Sequence, residues 1–207
     1  RLARYSFMGT NPYKIIKTDM DSQNVDPLCE IETELSRHKI AEIEGLPPFV
    51  GGAVGFLSYE TIRHFEPTVD TFSSGAYSIP ESVFFFTDSL LIFDHAKHQI
   101  MVVANAHIEG DVRLAYDKAV AQIDSIIEKL NKPLQVNEQK VSNSYDSLVS
   151  NFVRPDYEYV VEKAKEYIAA GDIIQVVPSQ RFSRPINADT FSVYRALRAV
   201  NPSPYMY

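Results

Sequence analysis

Residues 171–182, which read GDIIQVVPSQRF, carry residue types that could contribute to a small-molecule site. Pro178 lies inside an otherwise strand-like run, and proline cannot donate to the hydrogen-bond ladder of a β-sheet. We therefore expect an edge, a bulge or an interruption at this point. Such an irregularity would turn Ser179, Gln180 and Arg181 towards a different environment, which makes the segment a candidate site.

Residues 201–207, which read NPSPYMY, could bind a free amino acid. Pro202 and Pro204 fix their own backbone angles and restrict the residue before each of them, so the segment should be stiff and extended. An amino-acid site needs acceptors for the ammonium, donors for the carboxylate and a dry slot for the side chain. Backbone carbonyls outside regular structure, beside Tyr205 and Met206, could supply the acceptors for the ammonium and the dry slot for the side chain. The same pattern could equally start a core strand.

A glycine-rich run at residues 49–59 does not fit a nucleotide-binding loop. The spacing of Gly51, Gly52 and Gly55 departs from the dinucleotide fingerprint, and the Gly-Lys-Ser/Thr of a phosphate loop is missing. Glycine inside a strand commonly marks a bulge or a close approach of another backbone. We expect packing here and no phosphate binding.

The histidines give no sign of a metal site. His95 and His98 share a polar turn that offers no carboxylate or cysteine at ligand spacing, so we interpret them as solvated turn residues. The same interpretation applies to the three isolated histidines, His38, His64 and His107. Cys29 is the only cysteine, which excludes an internal disulfide, and we expect it to be inert.

Composition indicates an ordinary globular protein. The 207 residues are 45% hydrophobic, enough for one substantial core or two small ones. A net charge of -7 with scattered basic residues argues against nucleic-acid binding. No apolar run is long enough for a membrane span and the first residues lack a signal peptide, so a cytoplasmic location is the default expectation.

The first half of the chain reads mainly as strands. The hydrophobic pattern predicts a hairpin-like unit at residues 4–8 and 13–17, and a helix at residues 27–44. A long apolar strand at 83–93, kinked at Thr87 and Asp88, should form an antiparallel hairpin with 100–104. A helix opened by Gly110 and Asp111 should end at Asn131 and cover one face of the sheet. Its predicted apolar face comprises Val112, Tyr116, Ala119, Ile123, Ile126, Ile127 and Leu130.

The second half reads as helix, glycine, strand and helix. Pro155 should lie in the first turn of a helix that Gly171 ends, followed by a strand at 173–177. The inward face of that helix is predicted as Val160, Val161, Ala164, Tyr167 and Ile168. A last helix, Thr190–Val200, should point Phe191, Tyr194, Leu197 and Val200 inwards and end at Asn201.

These patterns predict an α+β fold, largely antiparallel sheet with packed helices. We expect a first domain at residues 1–135, a linker at 136–154 and the beginning of a second domain at 155–207. The linker is rich in Asn, Ser, Gln and Lys and lacks hydrophobic periodicity.

This chain resembles component I of anthranilate synthase. The resemblance lies in the segments at 171–182 and 201–207, the RYSF strand at 4–7 and the glycine-rich run. This resemblance implies a two-domain sandwich fold and regulation by L-tryptophan. It implies an enzyme that converts chorismate and ammonia to anthranilate and pyruvate, with Mg2+ and with ammonia supplied by a glutamine amidotransferase, component II. The residues that match the family's tryptophan site are Asn201, Pro202, Pro204, Tyr205 and Met206.

The resemblance also implies that this chain is a fragment, mainly regulatory and inactive alone. The family's catalytic groups and metal-binding glutamates follow the last residue, so no catalytic residue and no metal ligand is assigned here. The resemblance therefore implies no catalytic or metal-binding role for Glu60, Glu66 or Glu81. A Leu-Leu-Glu-Ser segment of the tryptophan site would precede the first strand.

Three alternatives stay open. The related aminodeoxychorismate synthase component I shares the Gly-Asp-x-x-Gln-Val opening of residues 171–176, but usually departs from the rest of both motifs. A non-catalytic amino-acid-binding module and a structural scaffold without a ligand are the others.

Overall fold

The structure, a computed structural model, describes residues 4–19, 26–41, 43–66, 68–69, 79–134 and 147–207. Its chain divides into two compact units, Arg1–Leu134 and Gln135–Tyr207. Much of the predicted linker, residues 135–146, lies outside the described residues. Within its described part, Val149–Ser150 forms a short strand.

Six strands build two antiparallel sheets in the described part of the first unit. They are β1 (Tyr5–Gly9), β2 (Lys14–Thr18), β3 (Gly52–Leu57), β4 (Ser82–Thr87), β5 (Ser89–Asp94) and β6 (Gln99–Ala104). One sheet has the order β1-β5-β6 and the other β2-β4-β3. The α+β class with largely antiparallel sheet is confirmed.

The predicted hairpin between the first two strands is wrong. Tyr5 in β1 pairs with Asp94 in β5, whereas Lys14 in β2 pairs with Phe86 in β4. β1 and β2 therefore belong to different sheets. The apolar run that follows later in the chain offers a partner to each of them, and burial against that run outweighs pairing across a short local turn.

The long apolar strand predicted at 83–93 is two strands that separate at Asp88. β4 and β5 belong to different sheets, and the kink expected at Thr87 and Asp88 is the point where the chain changes sheet. The Asp88 carbonyl accepts hydrogen bonds from the backbone N–H of Asn105 at 2.8 Å and from its side-chain amide at 3.3 Å. The hairpin of β5 and β6 is confirmed, with its turn at residues 95–98.

The glycine-rich run forms β3 and packs closely, as predicted. An ideal Cβ on Gly55 would lie 2.0 Å from the Val83 carbonyl oxygen and 2.7 Å from the Phe84 Cα. Gly52 has a φ of +125°, which side chains of L-residues rarely adopt. Only glycine at position 55 lets β3 approach β4 at this spacing.

Helix α1 (Pro27–Ser36) is shorter than the predicted helix at 27–44. The Asp26 carboxylate caps it by accepting the N–H of Leu28 at 2.9 Å. Ile31 packs with Ile16 and Phe86 to form the core of the β2-β4-β3 sheet. The helical spacing was misleading beyond Ser36, because Ile40 and Ile43 are exposed and add nothing to the buried face.

Helix α2 (Val112–Asn131) has the predicted bounds, with the Asp111 carboxylate accepting N–H groups of the first turn. Its predicted inward face is wrong in part. Ala115 and Ala119 are the buried positions, and Ile123 and Ile126 are half-buried. Four residues of the predicted face are exposed instead, namely Val112, Tyr116, Ile127 and Leu130. The helix packs on β6, which is an edge strand. This strand covers a narrower part of the helix than the apolar face predicted from the sequence.

An ion pair fastens β1 to the end of β5. Arg4 donates two hydrogen bonds to the Asp94 carboxylate, at 2.7 and 3.1 Å, and the Asp94 side chain is buried. The Arg4 hydrogen bonds, helped by the backbone N–H groups of Lys97 and Ala96, lower the Asp94 pKa from 3.8 to about 2.

We expect the stability of the first unit to fall as the pH is lowered from 3.8 towards about 2. A carboxyl group whose pKa is lower in the folded chain stabilises the fold at pH values above its pKa in the unfolded chain. This stabilisation is lost as the pH falls through the pKa of the folded chain, because the unfolded chain takes up the proton first. Urea unfolding of Asp94→Asn should therefore depend less on pH in this window than that of the native chain. Asp117→Asn, on the surface of α2, is the control, and equal pH dependence in native and Asp94→Asn chains would exclude the role given to Asp94.

The second unit contains α3 (Arg154–Ala170), α4 (Thr190–Val200) and a two-stranded ribbon of β7 (Val149–Ser150) and β8 (Phe182–Ser183). Pro155 lies in the first turn of α3, and Gly171 ends it with a φ of +85°, both as predicted. The strand predicted at 173–177 is absent from these described residues. Ile174 is 96% exposed, so the apolar run has no sheet to join, and the strand forms after Pro178 instead.

The helix faces predicted to point inwards are largely uncovered in the second unit. No residue of α3 or α4 is buried. Phe191, Leu197 and Val200 of α4 are exposed, while Tyr194 is half-buried. On α3, Tyr167 and Ile168 are exposed and Val160, Val161 and Ala164 are half-buried. Helical periodicity placed these residues on shared stripes, but this unit has too few elements to bury them.

Candidate functional site

The candidate amino-acid site follows the end of α4 directly. The Asp189 carboxylate caps the start of α4 by accepting the N–H of Ser192 at 2.9 Å. At the other end, the Asn201 N–H donates to the Leu197 carbonyl at 2.8 Å, and the Asn201 backbone then leaves the helical region with φ −140° and ψ 73°. Because Pro202 cannot continue the helix, the start of the segment is fixed in position.

The segment 201–207 lies on the surface of the second unit. Tyr205 is 72% exposed and Met206 is half-buried, while Asn201, Pro202 and Pro204 are all exposed. The aromatic ring and the thioether are therefore available to a ligand. A dry slot around an amino-acid side chain would need further surface to close over them.

The other candidate segment is held by the ribbon and by α3. Gly171 and Asp172 donate to the Ile168 and Tyr167 carbonyls at 3.1 Å each, a Schellman motif that closes the last turn. Further on, the Tyr157 hydroxyl donates to the Pro178 carbonyl at 3.3 Å. This contact ties the irregular stretch back to the first turn of α3.

Gln180 and Arg181 continue this attachment to the chain around β7. The Gln180 amide donates to the Ser150 hydroxyl at 2.8 Å, and the Arg181 N–H donates to the Asn151 side-chain oxygen at 2.8 Å. The Asn151 N–H donates in return to the Arg181 carbonyl at 3.1 Å. The expectation that residues beyond Pro178 enter a different environment agrees with this geometry, and that environment is the chain before α3.

A buried cluster of charged and polar residues in the first unit was missed from the sequence. Glu81 is fully buried and its carboxylate meets Arg63 at 3.0 Å and His64 at 3.2 Å. The His64 side chain is 8% exposed, so its interpretation as a solvated turn residue is wrong. Arg63 and His64 end a 3-10 helix, Tyr59–His64, and the only available signal was a glutamate directly before an apolar strand.

His38 and His107 contact each other through their rings. His107 is half-buried, which corrects its prediction as a solvated turn residue, whereas His38 is exposed as predicted. Their rings meet edge to face with centroids 4.9 Å apart, and Tyr13 packs against both. Burial, followed by the nearby carboxylates of Glu34 and Asp88, raises the pKa of Tyr13. The cluster is a structural contact of the first unit.

Two other predictions about reactive residues agree with the geometry. His95 and His98 lie in the exposed turn after β5, where the His95 Nε2 contacts the Ser6 hydroxyl at 2.7 Å. The carboxylate of Asp26, 3.7 Å from the Cys29 sulfur, raises the pKa of this thiol. A raised thiol pKa lowers the thiolate fraction and disfavours nucleophilic chemistry.

Within the described ranges, no group of three or more His, Cys, Asp or Glu side chains is placed to hold a metal ion. Over the same ranges, we find no helix with the length and apolar character needed to cross a membrane.

Comparison with known proteins places these features in a family. Residues 2–207 match the family described as chorismate binding enzyme. A probable anthranilate synthase component 1 from Schizosaccharomyces pombe is 41% identical over 209 residues, covering 100% of this chain and 42% of that protein. Anthranilate synthase component 1 of Saccharomyces cerevisiae is 37% identical and is covered to 42%.

A solved structure shares the fold. Anthranilate synthase component I from Streptococcus pneumoniae superposes with a TM-score of 0.80 at 30% identity, covering 99% of this chain and 47% of that one. The chain thus spans a little under half the length of the relatives that it matches.

Proposed function

Because this chain belongs to the chorismate-binding enzyme family, we propose that it is part of the large component of an anthranilate synthase. The observation that carries this proposal is the match to proteins of that name along essentially the whole chain, at up to 41% identity and with a shared fold. Both candidate segments lie within the matched region. The complete protein would convert chorismate and ammonia to anthranilate, pyruvate and water for tryptophan biosynthesis.

The product of the complete protein distinguishes this function from that of aminodeoxychorismate synthase. An anthranilate synthase eliminates pyruvate and leaves an aromatic product, whereas the sibling enzyme retains the enolpyruvyl group. We expect the full-length protein to form anthranilate and pyruvate in equal amounts from chorismate and ammonium. Aminated chorismate without pyruvate release would instead assign it to the sibling.

We place the reacting groups and the magnesium ligands of the complete enzyme outside this chain. Magnesium, when bound there, would hold a carboxylate of the substrate. Among the described residues of this chain, no group of three or more His, Cys, Asp or Glu side chains is placed to hold a metal ion. We also propose a glutamine amidotransferase component II as the source of ammonia, and a cytoplasmic location for the assembly.

For this portion we propose a regulatory role, with L-tryptophan bound at Asn201, Pro202, Pro204, Tyr205 and Met206. The exposed Tyr205 ring and the half-buried Met206 thioether offer an aromatic and a polarizable wall for an indole. Backbone carbonyls that proline keeps out of regular structure would accept hydrogen bonds from the ammonium. Additional residues of the complete protein would close the slot.

Feedback inhibition then needs only a modest coupling between two sites. If tryptophan favours an arrangement of the protein that binds chorismate weakly, a coupling free energy of about 1 to 3 kcal/mol changes substrate affinity by roughly 5- to 150-fold. The coupling is reciprocal, so chorismate would weaken tryptophan binding by the same factor.

Tyr205→Ala should weaken tryptophan binding to the full-length protein by at least about tenfold, because a ring that packs on an aromatic ligand contributes about 0.5 to 1.5 kcal/mol beyond the area it buries. Calorimetric titration with L-tryptophan measures this change. Tyr159→Ala removes an exposed ring from α3 and is the matched control. Equal affinities in the native, Tyr205→Ala and Met206→Ala proteins would remove the tryptophan site from this segment.

A further inference from the structure

A polar cleft of about 280 Å³ lies in the first unit, between the start of α2 and the chain that leaves β6. It is distant in sequence from the proposed tryptophan segment. Asp88, at the change from β4 to β5, forms part of its wall, and the buried alanines of α2 form part of its lining.

The cleft exists because α2 packs on the sheet through small side chains. Ala115 and Ala119 are its buried residues, and Gln122 follows one turn later on the same stripe and also lines the cleft. Protein interiors are normally filled to crystal-like density, so a helix that turns alanine and glutamine towards a sheet leaves space. A space lined by polar groups holds water or a polar ligand.

One wall of the cleft is a carboxylate held in place. The Asp88 backbone is fixed by the two hydrogen bonds from Asn105, and its side chain is only 13% exposed. One carboxylate oxygen accepts from the Ser89 hydroxyl at 2.9 Å. The other lies 3.3 Å from the His107 Nε2, but without hydrogen-bond geometry, which leaves this buried nitrogen unpartnered among the described residues.

The remaining charges of the lining have opposite signs. Glu109 adds a second carboxylate and Lys118 contributes an ammonium. In the part of the chain that the structure describes, neither side chain forms an ion pair or a hydrogen bond. Asp111 also lines the cleft, but its carboxylate is committed to the N–H groups of Arg113 and Leu114.

The geometry points to a binding site for a small zwitterion of free amino-acid size. Its ammonium would lie against Asp88 and Glu109, and its carboxylate would lie against Lys118 and the Gln122 amide. Charge-assisted hydrogen bonds at both ends favour a molecule with both groups over one with either alone. The cleft, at about 280 Å³, lies just below the usual size range of small-molecule pockets, which favours a ligand of amino-acid size over a nucleotide.

Three matched probes test this site in the 207-residue chain. L-serine carries both charged groups, ethanolammonium lacks the carboxylate and 3-hydroxypropanoate lacks the ammonium. We expect L-serine to shift the amide NMR signals of Asn105, His107 and residues 114–119 at millimolar concentration. Ethanolammonium should bind at least about tenfold more weakly, and 3-hydroxypropanoate should leave these signals unchanged.

Two substitutions assign the two ends of the ligand. Asp88→Asn should weaken L-serine and ethanolammonium binding alike, by at least about tenfold, while Lys118→Gln should weaken L-serine binding only. Asp124→Asn and Lys129→Gln change the same residue types elsewhere on α2 and should have no effect. Unshifted signals of residues 92–94 and 99–101, the paired ends of β5 and β6 far from position 88, confirm that the sheet is intact in Asp88→Asn.

No shift with L-serine up to 50 mM, or equal shifts with 3-hydroxypropanoate, would overturn the proposal. So would an undiminished response in Asp88→Asn. The proposed tryptophan site is tested separately, because L-tryptophan bound there would shift signals of residues 201–207.

Discussion

Gly55→Ala should destabilise the first unit by about 4 kcal/mol or more, the largest effect that we expect from a single methyl group in this chain. The added Cβ would lie 2.0 Å from the Val83 carbonyl oxygen and 2.7 Å from the Phe84 Cα. Both neighbours are backbone atoms of β4, so no side-chain rotation can relieve the overlap. β3 and β4 would have to separate, and β4 is the central strand of its sheet.

Amide hydrogen exchange of β3 and β4 measures this change within the first unit, and urea unfolding followed by circular dichroism measures it for the whole chain. Gly45→Ala is the matched control. Gly45 has a φ of +87°, but a Cβ added there would meet nothing within 4 Å, so the expected cost is only the backbone strain of about 1 to 2 kcal/mol. A Gly55→Ala chain whose stability lies within about 1 kcal/mol of the native chain would contradict the close approach of the two strands.

Arg63→Met should cost the first unit about 3 kcal/mol. It removes the guanidinium that contacts Glu81, whose carboxylate is fully buried and would keep the contact with His64 among the described residues. Removing one member of a buried ion pair typically costs about 3 to 5 kcal/mol, because the remaining charge stays desolvated. The lower end of this range applies, since Arg63 is itself 30% exposed and His64 remains in place.

The double variant Arg63→Met with Glu81→Leu should recover part of this loss, since it removes the desolvated anion but leaves His64 without its contact to Glu81. Arg113→Met is the control for losing an arginine. Its partner Asp117 and Arg113 itself are both exposed, so the expected cost is below about 1 kcal/mol. If Arg63→Met and Arg113→Met unfold at the same urea concentration, the buried pair does not support the fold.

Local features of this chain could be predicted because their causes are local. The bounds of α4 follow from the Asp189 cap and from Pro202, and those of α2 from the Asp111 cap and from the polar end at Asn131. Gly171 adopts the left-handed geometry that a helix end requires. The Asp, Asn, Gly and Pro residues at these helix ends act within one turn of the chain.

Strand partners could not be predicted in the same way. Nothing in residues 4–17 shows that β1 and β2 pair with different sheets, because this depends on the break at Asp88, about 80 residues later. The break in turn depends on Asn105, which holds the Asp88 carbonyl from the far side of the hairpin. These are contacts between distant residues, and hydrophobic periodicity contains no information about them.

Burial of polar residues was equally hidden. Glu81 and His64 look like surface residues in the sequence, and only the meeting of the 3-10 helix with the start of β4 places them together in the core. In the second unit, the apolar stripes of α3 and α4 were identified but are largely uncovered. The residues of the candidate tryptophan site were found through motif resemblance, because five residues in a short irregular segment carry too little periodicity to show a pocket.

The most direct test of the account is the rate of anthranilate formation by the full-length protein, from chorismate and ammonium, as L-tryptophan is added. We predict that anthranilate forms and that tryptophan suppresses its formation in the native protein but far less in the Tyr205→Ala protein. Anthranilate formation that tryptophan does not change would contradict the regulatory role of this chain, and the absence of anthranilate would contradict the enzyme assignment itself.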